Sequence, residues 1–568
     1  MDFKRSNEIS YIKPPLDMFL GEYNKMLASI LVENINNFAY IASPVINRME
    51  AQTHFFEKIE KYIQIREMLL KDNLFRVLLT GEDVFLYDEL KREFKGRVKK
   101  KERPPRNFRD ILKGVLKHFF PNIYLKRKFK KNKGEFLKST RELIRASEKM
   151  PSCKKEYTSI IRTYFDFRCT DQNGKLREEY FGPFAVDLAK HENVLVIYKL
   201  LNPKGLASFE KLCRDQHDFD SCLIEKFLTV NLLSEVIQLY ESSKIKLRNK
   251  YYYRDNDITS MLQKMIDMEF SGLHGIDVFV EREIARKVFG LKPERIYMPY
   301  ENQTWEKVYP FVKNDEFRAS HTRIIGFQHT GLSYKLLQHF PAEIEKNLHL
   351  FPDKLLTVGK IYQLLLKEKA YYPCEIVEGA ALRHSKYVVD GVFNVKEPHK
   401  ELFGKIAYAF SYDTSKYERI INVLLEIFKN SNICIYLKMH PDYDEDDIMK
   451  TLNIKIPDNF ILAQKIPWTT IYDNSDCIIY DDNSIGIEGM INGVRTYMLD
   501  FGEPIYECGR MFYFDEWNTA INIEDLKVLK QSIESKVFNP WYDIDKMKKY
   551  LNLYYNAYSK ERYFSSYF

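Results

Sequence analysis

The sequence lacks the marks of several protein classes. Its first stretch, MDFKRSNEISYIKPPLDMF, has no apolar signal core. No run approaches the roughly eighteen apolar residues of a membrane span. The eight cysteines are scattered, without a CxxC pair or metal knuckle, and several sit in apolar strand-like runs. That usage suits a reducing compartment and gives no zinc site. There is no internal repeat or low-complexity run, and no DNA- or RNA-binding motif accompanies the basic residues, so nucleic acid is not an expected partner. These absences lead to the expectation of a cytoplasmic protein without a spanning segment.

What is present is ample core material. The 568 residues suffice for two large domains plus extensions, and 45% hydrophobic with 29% charged residues is an ordinary globular balance. The net charge of +7 is local. Roughly eighteen Lys and Arg face few acids between Lys91 and Lys133. Ile111, Leu112, Val115, Leu116, Phe119 and Phe120 lay an apolar stripe beside that charge. A solvated surface insertion is the plain reading of such a run; an anionic membrane surface is the functional one, at about 1 kcal/mol per cation near the lipid.

Along the chain, residues 1 to 70 read as a helical N-terminal extension. LFRVLLTGED reads as a strand opening a first α/β domain over 71–385, with a basic insertion at about 91–150. Residues 205 to 270 read as helices. RIYMPYENQTWEKVYPFV, RIIGFQHTGLS, KLLTVGKIYQLLLKE and CEIVEGAALRHS repeat a strand–loop–helix pattern, the signature of a doubly wound parallel sheet. The irregular stretch between Arg383 and Phe403 marks a junction. A second α/β domain follows over 386–525, and residues after Trp517 read as helices, with 526–568 as C-terminal helices.

The stretch Asn432 to Asp500 organises the rest. Its short β-branched runs, Ile433 to Leu437, Cys477 to Tyr480 and Val494 to Leu499, each end at a polar cluster, as buried parallel strands do. One cluster holds Lys438, His440 and Pro441. The other holds Asp481, Asp482, Asn483 and Ser484, then opens a helix through Ile485, Gly486 and Glu488. Ligands in open α/β sheets sit outside the carboxyl ends of the strands, and the first amides of a helix favour a phosphate. Together the two loops read as one nucleotide-phosphate site. Taken singly, His440 is a loop histidine and Ser484 an N-cap.

The order K-x-H-P then D-x-x-S-x-G-x-E resembles the C-terminal half of GT-B glycosyltransferases that build bacterial capsule and lipopolysaccharide, the nearest groups using CMP-activated sialic-acid-like or Kdo sugars. CDP-glycerol-dependent teichoic acid transferases are similar. The likeness spans roughly Arg295 to Asp500. It implies two Rossmann-like domains facing across a cleft, C-terminal helices crossing back to the first domain, and a donor phosphate held by His440 and the Ser484 loop. It also implies a nucleotide-sugar donor and a glycan or lipid-linked glycan acceptor.

Transfer from such a donor needs stabilisation of the leaving phosphate, a base for the acceptor hydroxyl, and a cleft to hold both. Lys438, His440 and the helix mouth can offset phosphate charge, so metal independence is expected, although Asp481 and Asp482 superficially offer a metal loop. Glu488 is a candidate ribose or base contact, or a capping glutamate. Three residues compete as base. Asp166 ends a strand-like run, with Glu178 and Glu179 as weaker options beside it. Glu301 lies in PYENQTWEK. His329 lies in GFQHTGLSYK, which resembles the W-H-G-T-P-L-K loop of the teichoic acid group but has Gln328 for Trp and an inverted Thr330-Gly331. Two rivals stand beside a CMP-sugar transferase: a CDP-glycerol-type phosphotransferase with His329 as base, and a non-catalytic glycan- or membrane-binding scaffold.

Overall fold

The computed structural model describes residues 4–5, 19–80, 84–101, 121–150, 156–166, 169, 178–201, 205–215, 218–332, 336–398, 401–441, 443–481, 483–501, 518–539 and 543–560. The apolar stripe Ile111 to Phe120 and Asp482 lie outside these residues.

The first domain is built on seven parallel strands. They are β1 (Ser159–Phe165), β2 (Val194–Leu200), β3 (Asp220–Leu223), β4 (Arg295–Pro299), β5 (Arg323–Phe327), β6 (Lys354–Thr357) and β7 (Glu375–Glu378). Their order across the sheet is 3-2-1-4-5-6-7. The second domain has six: β8 (Lys405–Ala409), β9 (Cys434–Lys438), β10 (Phe460–Leu462), β11 (Cys477–Tyr480), β12 (Arg495–Leu499) and β13 (Asn518–Ile521). These are also all parallel, in the order 10-9-8-11-12-13. In each sheet the order reverses once, between β1 and β4 and between β8 and β11. Right-handed crossovers then place helices on opposite faces either side of that reversal. The central strands are buried along their length, β11 at all four positions, which is why they read as unbroken apolar runs. Two Rossmann-like sheets facing across a cleft are the GT-B arrangement.

Three expectations need correction. Val77–Thr80 does not open the first sheet; it pairs in parallel with Lys4–Arg5 and Val98–Lys101 in a separate small sheet. Residues 205–270 are not all helical, because Asp220–Leu223 joins the first sheet as β3. The residues after Trp517 begin with an edge strand, β13, before the helix Ile523–Glu534. In each case four residues take their form from a strand partner distant in sequence, which local propensity does not encode.

The N-terminal helices Asn24–Glu33, Phe38–Ala42 and Phe55–Lys71 are part of the first domain's core, contributing Leu27, Leu31, Phe55 and Ile59 to it. The connection between the second and third of them is tied in by a buried bidentate pair, Arg48 to Glu345 at 2.7 Å for both bonds. Of the C-terminal helices, Ile523–Glu534 stays on the second domain against Tyr417–Phe428. The helix Ile544–Tyr554 returns to the first domain and packs on Lys360–Lys369. There Asn556 donates to the Val358 carbonyl at 2.7 Å, and its own carbonyl accepts from Ala381 at 2.8 Å. Gly359 permits this docking: a Cβ there would meet the Tyr554 carbonyl. Among the described residues no helix is long and apolar enough to cross a membrane. The helix Pro121–Glu148 packs on Thr259–Gly272 and exposes Lys126, Arg127, Lys130, Lys131, Lys138 and Arg141.

Candidate active site

The carboxyl ends of both sheets open onto one cavity of about 430 Å³. Its walls come from the loops after β4 and β5 in the first domain and after β8, β9 and β11 in the second. These loops lie at or beside the two reversal points, where an open sheet leaves a crevice.

The loop after β4 is shaped by its own polar residues. Glu306 accepts from the amides of Glu301 (2.8 Å) and Gln303 (2.9 Å), and Asn302 turns the chain at a φ of 55°. Asn302 then donates to the Gln338 carbonyl at 2.6 Å. Burial, followed by the neighbouring Glu301 charge, pushes the Glu306 carboxyl well above its usual range. The result is that Glu301 projects into the cavity. Burial raises its pKa, against the lowering effects of Thr330, Gln303 and Arg383. The loop after β5 is held to the next strand by Gln328, whose side chain accepts from Val358 at 3.0 Å. His329 follows, buried, with its ring edge-on to Tyr180 at 5.0 Å. His329 Nε2 lies 3.7 Å from Glu301 Oε1. Two residues proposed as rival bases thus stand side by side in the cavity.

Asp166 is placed differently. It is buried at the end of β1, its amide faces Cys169 Sγ, and it does not line the cavity. Nor do Glu178, which accepts from the Thr163 hydroxyl at 2.6 Å, and Glu179, which faces Arg383.

In the second domain His440, Asn483, Ser484 and Gly486 line the cavity. The His440 ring stands perpendicular to that of Tyr412 at 5.5 Å. Asn483 fixes the loop after β11, donating to the Ala409 carbonyl and accepting from the Ile485 amide, both at 3.0 Å. The Ser484 side chain makes no capping bond. Gly486 is required by packing, since a Cβ there would strike the Tyr480 ring. Pro441 and Ile485 support these loops without lining the cavity.

Three residues weighed for the donor site, Lys438 for the phosphate, Glu488 for the ribose or base and Asp481 for a metal, do other work. Lys438 donates to the carbonyls of Ala463 (2.8 Å), Gln464 (2.9 Å) and Ile466, which uses all three of its donors. Burial brings its pKa down to about 8. Glu488 accepts from the Tyr387 hydroxyl at 3.0 Å and faces His384 and Lys386 at 3.9 and 3.8 Å. Burial alone would raise its pKa, but Lys386, His384 and Arg383 prevail and hold it at about 2. Glu488 therefore ties the second domain to the interdomain turn Leu382–Tyr387. Asp481 accepts from the Ser411 amide (2.9 Å) and hydroxyl (2.6 Å) and shapes the loop after β8. Among the described residues no group of three or more His, Cys, Asp or Glu is placed to hold a metal ion.

Several cavity residues escape a reading of the sequence, and Arg383 and Gln338 are the two that matter below. Both sit in short 3-10 segments outside any motif. The only sequence signal was the position of Arg383 at the domain junction.

No family model matches the chain, and no curated protein does. Solved structures similar to it include a Methanocaldococcus jannaschii UDP-GlcNAc 2-epimerase, at 13% identity over 69% of this chain and 98% of that one, with a TM-score of 0.39. The calicheamicin glycosyltransferase CalG4 is 7% identical over 73% and 95%, with a TM-score of 0.38. Acinetobacter baumannii MurG is 10% identical over 71% and 97%, with a TM-score of 0.33. Likenesses this distant leave the chemistry to be read from the cavity itself.

Proposed function

We propose that this protein is a nucleotide-sugar glycosyltransferase of surface-polysaccharide assembly, moving a nonulosonic-acid or Kdo-type sugar from a CMP-activated donor to a glycan acceptor. The observation that carries this reading is the shared cavity: a carboxylate–histidine pair from one sheet faces a histidine and small polar residues from the other. The acceptor hydroxyl loses its proton to the His329–Glu301 pair as its oxygen bonds to the anomeric carbon. The bond from that carbon to the donor phosphate breaks, and the leaving phosphate keeps the electron pair. On the second domain's wall His440 and Ser484 can donate to it. A single displacement of this kind inverts the anomeric centre and calls for no metal. Six tyrosines, among them Tyr164, Tyr412 and Tyr555, line the walls and suit a sugar ring.

A thermal-shift panel of nucleotides tests the reading. A bound nucleotide at a hundred times its dissociation constant stabilises by about 2.7 kcal/mol. Stabilisation by CMP and CDP with none by purine nucleotides supports it; no response to any nucleotide removes it. Turnover that persists in EDTA bears on metal independence, whereas rescue by Mg²⁺ points back to Asp481 and Asp482.

The location of His329 in the cavity also favours a second reading, a CDP-glycerol-type phosphotransferase with His329 as base. Labelled CMP-sugar and CDP-glycerol offered in parallel separate the two. In either case we place the protein at the cytoplasmic face of a membrane, with the exposed cations of Pro121–Glu148 toward anionic lipid. Binding to anionic vesicles that weakens with salt supports that placement, and equal binding to neutral vesicles removes it.

A further inference from the structure

Arg383 is the single Lys or Arg among the described residues lining the cavity. Its side chain is 17% exposed. Among the described residues its one ion pair is with Glu179, whose Oε1 lies 3.4 Å from Nε, and its Nη groups donate no hydrogen bond. A guanidinium carries five donors in a planar fork that matches a phosphate or carboxylate. That fork opens on the cavity and is available to an anion that enters it. The nearby carboxylate of Glu301 does not occupy it: Glu301 feels the Arg383 charge but forms no ion pair with it. A second group in the same wall is also open. Gln338 is 3% exposed, and its Oε1 is buried without a hydrogen-bond partner. That oxygen can only accept, so it calls for a hydroxyl or amide donor.

Building on the nucleotide-sugar reading, we propose that Arg383 binds the anionic group of the substrate through its Nη fork, while Gln338 Oε1 accepts from a hydroxyl of the same molecule. The anion is a donor phosphate or a sugar carboxylate; the chemistry is shared. Arg383 also belongs to the interdomain turn whose Lys386 and Tyr387 engage Glu488. The anion would thus be held by the segment joining the two domains.

The test is calorimetric binding of cytidine, CMP and free N-acetylneuraminate to the full chain, its Arg383→Gln and Arg383→Lys variants, and Glu179→Gln. Unliganded melting checks that each variant is folded. The expected result is CMP binding at least tenfold tighter than cytidine in the unaltered protein. That ratio should fall to near one in Arg383→Gln, take an intermediate value in Arg383→Lys, and be retained in Glu179→Gln, which removes only the ion pair. Loss confined to N-acetylneuraminate assigns the fork to a carboxylate and also supports the proposal. A CMP-to-cytidine ratio unchanged in Arg383→Gln, with N-acetylneuraminate unaffected, overturns it. So does an equal loss in Glu179→Gln, which would make Arg383 structural. If nucleosides and nucleotides bind but Arg383 is indifferent, only this proposal fails. If none of the three probes binds, the nucleotide-sugar reading fails with it.

Discussion

The two sheets share one strand order and differ in what they present at its reversal point. The first presents titratable groups: Glu301, Glu306 and His329, with burial raising both carboxyls. The second presents mostly small or neutral residues, Ser411, Asn483, Ser484 and Gly486, with His440 and Asp413. One topology built twice gives two similar crevices, and the side chains at the strand ends give them different chemistry. In the proposed reaction, proton transfer falls to the first wall and accommodation of a leaving anion to the second.

Removing the base should break this contrast most severely. His329→Ala should lower transfer by about 10²- to 10⁴-fold, the usual contribution of a positioned base. Glu301→Gln should fall in the same range, and the double variant should be little worse than either, because the pair acts as a unit. Nucleotide affinity should stay near that of the unaltered protein in all three. If the double variant multiplies the two losses, the residues act separately.

On the opposite wall, His440→Ala should cost about a hundredfold in turnover and should weaken nucleotide binding as well. The ratio of lost binding to lost turnover sharpens the comparison, since only the second wall should show both. Near-full turnover in a folded His440→Ala protein would sink the leaving-group role.

A smaller effect concerns the tie between the domains. A Glu488 carboxyl held at about 2 rather than 4.5 contributes on the order of 3 kcal/mol when ionised. The sign follows from a depressed carboxyl: the contribution is fully present above pH 4.5 and is lost as pH falls through 2. Denaturant melts of the native protein and Glu488→Gln across that window should converge toward low pH. A gap that stays constant with pH would mean Glu488 acts through packing rather than charge.

Much of this was legible in the sequence because buried parallel strands announce themselves. Cys477–Tyr480 is a strand where the run CIIY begins and ends, and the loops bearing Glu301, His329, His440 and Ser484 do meet. Direction and partnership were not legible. An extended chain would put Lys438 and His440 on one side, yet β9 ends at Lys438, and three carbonyls of Ala463, Gln464 and Ile466 capture its ammonium. Glu488 read as a nucleotide contact, but His384 and Lys386, about a hundred residues earlier, claim it. Asp166 met the same pattern as Glu301, and only the packing around β1 withdraws it from the cavity. Arg383 and Gln338 belong to no motif, so the folded chain alone brings them to the site.

The division of labour between the two walls can be seen directly in one measurement, a crystal structure of the protein with CMP and an acceptor glycan bound. The account predicts the nucleotide against the loops after β8, β9 and β11, beside His440 and Ser484, with an acceptor hydroxyl within hydrogen-bond reach of the His329–Glu301 pair. A nucleotide seated on the loops after β4 and β5, or outside the cavity altogether, would contradict it.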